Sequence, residues 1–112
     1  MGPRVLIVDD HPSFRASARV LLEAEGFDVV GEAADGAQAL TEAGRLRPEV
    51  VLLDVQLPDI DGFDVAARLT DGDDAPTVIL VSSRDGSDFG PLVTRSGARG
   101  FVPKAELSGD RV

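Results

Sequence analysis

Cysteine, tryptophan and tyrosine are all missing from the chain, and His11 is its only histidine. Without cysteine there is no disulfide and no thiolate metal site. No apolar run approaches the ~20 residues that a membrane-crossing helix needs. The opening Met1-Gly2-Pro3-Arg4 stands before one short apolar run and does not read as a signal peptide. These absences are those expected of a soluble, cytoplasmic protein that does not associate with membranes. Bases are also scarce: 11 against 20 acids, a net charge of −9. That balance opposes direct nucleic-acid binding, where Lys and Arg must neutralise phosphates. It suits cation binding, although surface acidity also simply keeps proteins in solution.

What remains is enough for one domain: 112 residues, 43% of them hydrophobic. Five short apolar runs stand out: Arg4 to Val8, Val29 to Ala34, Val50 to Leu53, Thr77 to Val81 and Gly100 to Val102. They are rich in Val, Ile and Leu and do not alternate with polar residues, as expected of strands buried on both faces. Between them the period changes to that of a helix. Phe14, Ala18, Leu21 and Leu22 fall on one face, with Pro12 in the first turn and Gly26 as the stop. Ala37, Leu40 and Gly44 mark a second helix, limited by Pro48, and Phe63, Ala66, Ala67 and Leu69 a third, entered through Asp61-Gly62. A weaker fourth covers about Asp88 to Ser96, with Pro91 in its first turn and Gly97 closing it. Alternating strands and helices predict βαβ crossovers and a doubly wound parallel sheet, which binds its ligands at the carboxyl ends of the strands.

The acids fall at those ends. Asp9 and Asp10 follow the first run and Asp54 follows the third. In the sheet order 2-1-3-4-5 the first and third strands are neighbours, so the three carboxylates should converge. Their mutual repulsion calls for a cation, and oxygen-only ligands favour a hard ion such as Mg²⁺. Ser82 adds a hydroxyl after the fourth run and Lys104 an ammonium after the fifth. A carboxylate nucleophile, a divalent ion, a hydroxyl and an ammonium make a phosphoryl-transfer site: Asp54 attacks phosphorus, the ion and Lys104 neutralise the equatorial oxygens, and Ser82 donates a hydrogen bond. Taken singly, each has a plainer role as a solvated turn, a cap, a loop hydroxyl or a surface lysine. Their joint arrival at four matching strand ends is what carries the reading. His11 reads as a helix-entry residue, and Phe101 and Phe63 as core.

Four segments carry a resemblance: Val5-Leu6-Ile7-Val8-Asp9-Asp10-His11-Pro12; Val51-Leu52-Leu53-Asp54-Val55-Gln56-Leu57-Pro58 with Asp61-Gly62; Val81-Ser82-Ser83; and Gly100-Phe101-Val102-Pro103-Lys104. With them, nearly the whole chain resembles the receiver domains of bacterial two-component response regulators. The Asp-Asp-His-Pro start and Val29-Val30-Gly31-Glu32-Ala33, followed by Asp35-Gly36, are most similar to the NarL/FixJ type. That type commonly carries a LuxR-type helix-turn-helix domain after the receiver. The resemblance implies a CheY-like, flavodoxin-like fold. It implies Asp54 as phosphoacceptor, loaded from a phosphohistidine on a sensor histidine kinase. Asp10, Asp54 and the backbone carbonyl of Gln56 would hold Mg²⁺ directly (Mn²⁺ being the alternative), with Asp9 helping through water. Lys104 would pair with Asp54 and then with phosphoryl oxygens, while Ser82 moves toward the phosphoryl group and Phe101 turns inward. Gln56 and Arg84 occupy positions that tune phosphoryl lifetime. The fourth helix, fifth strand and fifth helix would form the output face, and the fourth helix and fifth strand a homodimer surface. Such a domain is no enzyme beyond assisting its own phosphorylation and dephosphorylation.

The span from Glu106 to Val112 leaves little of a fifth helix, so this helix is expected to be truncated, with residues 1–112 forming the receiver alone. DNA would be reached only through an output domain outside this chain. Lys104 is followed by Ala105 rather than Pro, which makes a cis bond there unexpected. Three other readings have less support. A haloacid-dehalogenase-like phosphatase would need a second Asp where Gln56 stands. A flavodoxin-like nucleotide or flavin binder would need a phosphate loop where Asp9-Asp10-His11-Pro12 would repel a phosphate. A receiver fold serving only as a docking surface would not need the acid–Ser–Lys set.

Overall fold

A computed structural model of the chain describes residues 2–72, 74–83 and 90–107. The five apolar runs are strands: β1 (Arg4–Val8), β2 (Asp28–Ala33), β3 (Val50–Asp54), β4 (Thr77–Ser82) and β5 (Gly100–Pro103). Helices α1 (Pro12–Ala24), α2 (Gly36–Leu46), α3 (Gly62–Leu69) and α4 (Gly90–Arg95) fill the intervals. All pairings are parallel, in the order β2-β1-β3-β4-β5. This is the doubly wound order expected above.

Successive side chains of a strand point to opposite faces. On one face Leu6, Val8, Val51, Leu53, Val78 and Leu80 are sealed by Ala39 of α2 and by Val65 and Ala66 of α3. On the other Val5, Ile7, Leu52, Val81 and Val102 lie with Ala18 and Leu22 of α1. Both faces are covered, so the runs have no polar alternation. Truncating one such side chain to Ala generally costs ~2–5 kcal/mol.

The strands run slightly further than the apolar runs, because the ladder continues through polar residues. Asp28 joins β2 by pairing with Arg4, Asp54 pairs with Val81, and Ser82 pairs with Pro103. Ala34 leaves β2, its N–H donating to Gln38 Oε1 at 3.0 Å. The second helix turns a different face inward than Ala37 and Gly44 suggest. Both are exposed, and the packed positions are Ala39, Leu40, Ala43 and Leu46. The third likewise buries Val65 rather than Ala67. In each, alanine and glycine are too small to mark the buried stripe. The first helix behaves as expected, with Ala18 and Leu22 buried, Phe14 and Leu21 half-buried, and Gly26 in the left-handed region at φ +94° beyond its end. The start of the fourth, at Asp88 and Phe89, lies outside the described residues, but Pro91 does fall in its first turn. After β5 a 3₁₀ turn spans Lys104–Glu106, Leu107 leaves it with extended backbone, and residues 108–112 of the expected fifth helix lie outside the described residues. Among the described residues there is no cis peptide, and no helix is long and apolar enough to cross a membrane.

The segment joining β3 to α3 is tied at both ends. The Gly62 N–H donates to Val55 O at 3.0 Å, and Asp59 accepts from the first-turn N–H groups of α2, Gly36 at 2.8 Å and Ala37 at 3.0 Å. These hydrogen bonds hold the Asp59 carboxyl below the usual carboxylate range. Gly62 is there for space: a Cβ on it would lie 2.3 Å from Asp54 O and 2.5 Å from Val55 Cα. Gly62→Ala is therefore expected to destabilise the protein by about 2 kcal/mol or more, through forced displacement of the β3 end. Thermal unfolding would show this as a melting temperature lower by roughly 10 °C.

Candidate functional site

Four of the five strand ends deliver polar side chains to one rim of the sheet. β1 stops at Val8, and the Asp9 N–H still joins the ladder, donating to Ala33 O at 3.0 Å. Asp9 is therefore held as rigidly as the strand and is fully buried. Asp10, one residue on, is exposed. Asp54 closes β3 and is 3% exposed, with its Oδ1 accepting from the Gln56 N–H at 3.1 Å. Ser82 closes β4 and is buried. Lys104 follows β5 and reaches back across the rim. Its Nζ lies 2.6 Å from Asp9 Oδ2 and 3.4 Å from Asp54 Oδ2. The nearer contact is an ion pair without hydrogen-bond geometry, so Asp9 Oδ2 is buried yet short of a hydrogen bond.

The predicted convergence of carboxylates is present. Among the described residues, ligand atoms of Asp9, Asp10, His11 and Asp54 all lie within 4.8 Å of one another. The donor set fits a hard divalent cation: three carboxylates, with a buried oxygen on Asp9 still lacking a hydrogen bond. One lysine offsets these carboxylates only in part. Burial pushes the Asp54 carboxyl up to about 6, with the Asp9 charge acting in the same direction, while the Gln56 N–H and Lys104 pull it back. A carboxyl so placed gains from any further positive charge beside it.

His11 does enter the first helix, as its N-cap residue. Its imidazole does more than the sequence suggested, since Nδ1 sits 3.0 Å from both Asp9 Oδ1 and Asp10 Oδ1. Gln56 is exposed beside Asp54, and Phe101 is half-buried on β5, packed with the α2–α3 side of the core. Arg84 lies outside the described residues. Two residues that the sequence did not mark, Arg15 and Arg19, also serve the rim. Arg15 donates from Nη1 to Asp9 O at 2.7 Å and from Nε to Glu32 Oε1 at 3.0 Å. Arg19 donates from Nε to the other Glu32 oxygen at 2.8 Å, and the two guanidinium groups hold the Glu32 carboxyl below its ordinary range. The spacing of Arg15 and Arg19, four apart on one helix, was the available signal. Phe14, read as a core position, meets Lys104: Nζ stands 4.4 Å from the ring centroid.

Comparison with known proteins places this geometry. The family model described as response regulator receiver domain matches residues 5–110. BvgA of Bordetella pertussis, assigned as a positive transcription regulator of virulence factors, is 42% identical over 106 residues, covering 95% of this chain and 51% of that protein. The DNA-binding response regulator MtrA of Mycolicibacterium smegmatis is 42% identical over 106 residues, covering 93% of this chain and 45% of that protein. The chain thus spans about half the length of these curated relatives. Among solved structures, the signal receiver domain assigned to NarL of Mycobacterium tuberculosis superposes with a TM-score of 0.87 at 37% identity, covering 95% of this chain and 86% of that one. With a family match across nearly all its length and the same fold in its structural relatives, the chain belongs to the response regulator receiver domains of two-component systems.

Proposed function

We propose that Asp54 accepts a phosphoryl group from a phosphohistidine of a sensor histidine kinase, and that the chain is the receiver of a transcriptional regulator of the NarL/FixJ type. The observation that carries the reading is the reach of Lys104 to both Asp9 and Asp54, at 2.6 and 3.4 Å. An ammonium there stands where charge gathers on a phosphoryl group meeting Asp54. The NarL likeness at a TM-score of 0.87 supports the subtype.

In the proposed reaction an ionised oxygen of Asp54 attacks phosphorus, the P–N bond to the kinase imidazole breaks, and an acyl phosphate forms. Asp10, Asp54 and the Gln56 carbonyl would hold Mg²⁺ (or Mn²⁺), with Asp9 assisting through water, and the bound ion would supply charge neutralisation at the phosphoryl oxygens. Lys104 moves its contact from Asp54 to a phosphoryl oxygen. Ser82 donates its hydroxyl, Phe101 turns inward, and Gln56 and Arg84 set how long the acyl phosphate lasts. The changed charge biases a two-state surface on α4 and β5, which would serve output and homodimer contacts. Output would be through a DNA-binding domain outside the receiver, in keeping with what BvgA and MtrA are named for. On this reading residues 1–112 are the receiver alone, the protein works in the cytoplasm away from membranes, and its chemistry is confined to its own phosphorylation and dephosphorylation.

Three outcomes are expected. Asp54→Asn abolishes labelling by a small phosphodonor with Mg²⁺, read on a phosphate-affinity gel; stoichiometric labelling of the variant would refute the assignment. Mg²⁺ raises the melting temperature of the parent chain, by linkage worth ~2.7 kcal/mol at a hundredfold excess over its dissociation constant. Asp10→Asn and Asp54→Asn lose most of that rise in a thermal melt. The third outcome concerns pH with chelator present. Because Asp54 is raised to about 6 in the folded protein, its contribution to stability is full below the ordinary carboxylate range and is lost as pH rises through about 6. Asp54→Asn escapes that loss. The variant should match the parent near pH 4 and exceed it by on the order of 2 kcal/mol at pH 7.5, measured by denaturant unfolding.

A further inference from the structure

The aromatic ring beside Lys104 belongs to no part of the scheme above. Phe14 lies in the first turn of α1, two residues past Pro12, and its ring is half-buried against the α1 side of the core. The Lys104 ammonium stands 4.4 Å from the ring centroid while it contacts Asp9 at 2.6 Å and Asp54 at 3.4 Å. The Lys104 side chain is only 18% exposed, so little water competes for the cation. An aromatic face carries negative charge and attracts a cation at this distance, most strongly where water is scarce. A lysine otherwise has a long, freely rotating stem and a point charge with no fixed orientation.

We propose that Phe14 is a positioning residue for Lys104, its ring face holding the ammonium over the acidic pocket by a cation–π contact. The inference rests on the phosphoacceptor reading of Asp54 and extends it. Both carboxylate contacts of Lys104 are liable to change when a phosphoryl group arrives, whereas the ring contact comes from a separate element and can persist. The ring also covers one side of the ammonium. α1 begins at Pro12, two residues after Asp10, and its first turn carries the Phe14 ring to Lys104 just past the β5 end.

The test has two arms, both on the full chain. First, loading by acetyl phosphate with saturating Mg²⁺ is timed for Phe14→Tyr, Phe14→Leu and a series with one, two and three ring fluorines at position 14. Fluorination drains charge from the ring face with little change of shape. Phe14→Tyr should keep the rate within about twofold, Phe14→Leu should lower it roughly three- to tenfold, and each fluorine should lower it in steps. A rate unchanged across the fluorinated series would overturn the proposal, since it would leave the ring as packing alone. Second, the Lys104 ε-methylene protons of the unphosphorylated chain should resonate upfield in NMR spectra, displaced by the ring current, and should return to the ordinary lysine position in Phe14→Leu. An ordinary position in the parent chain would equally overturn it. If the parent chain does not load at all, the phosphoacceptor reading fails, and the NMR arm still decides the contact. A melt of each variant confirms that it is folded.

Discussion

A single ammonium between two carboxylates is the contact on which the rim of this molecule depends. Asp9 is buried and Asp54 nearly so, and the Asp9 charge adds to the cost of ionising Asp54. Removing the ammonium would strand carboxylate charge away from water, a loss that generally costs ~3–5 kcal/mol. Lys104 prevents that, yet it comes from the far end of the chain, 50 residues from Asp54. The pocket therefore exists only when β1, β3, β4 and β5 are all in register. Because side chains alternate along a strand, a slip of one residue in β5 would carry the approach to Lys104 onto the wrong face. The site is in effect a consequence of the whole sheet rather than of a local motif.

The fold was legible because burial on two faces writes itself directly into sequence. Val5 to Val8 cannot be anything but a sealed strand once helices cover both sides. The site was legible for a related reason: parallel strands send their carboxyl ends to one rim, so a polar residue after each apolar run is placed by topology alone. What could not be read is how side chains meet across elements. The period of α1 assigns Phe14 to the inward face, and nothing in that period says that a lysine ninety positions later ends over its ring. Asp59 belongs to no motif in the sequence, and its service to the N–H groups of Gly36 and Ala37 depends on where two loops pass each other. Helix faces built of small residues were also misjudged: Ala37, Gly44 and Ala67 look as apolar as Ala39 and Ala43 but point outward.

Beside the pocket, charged groups of α1 and β2 are paired with one another. Arg15 grips the main chain at Asp9 and pairs with Glu32, which Arg19 also holds. These contacts tie α1 to β2 beside the acids, where an unbraced turn would let Asp9 and Asp10 drift apart under their own repulsion. The acidity of the whole chain, −9, is thus only partly a solubility device. At the rim it is a local concentration of negative charge that the framework has been built to withstand.

The tether at Asp59 has a kinetic side. The stretch between Asp54 and Gly62 contains the Gln56 peptide and would, as an open loop, sample many shapes. Fastened to the start of α2 and to Val55, it loses that freedom when the chain folds. The entropy of ordering it has then been spent before any ligand arrives. An incoming ion meets a surface already in shape, so its association need not wait on loop rearrangement. The same rigidity means that strain introduced in the first turn of α2 would be felt beside Asp54.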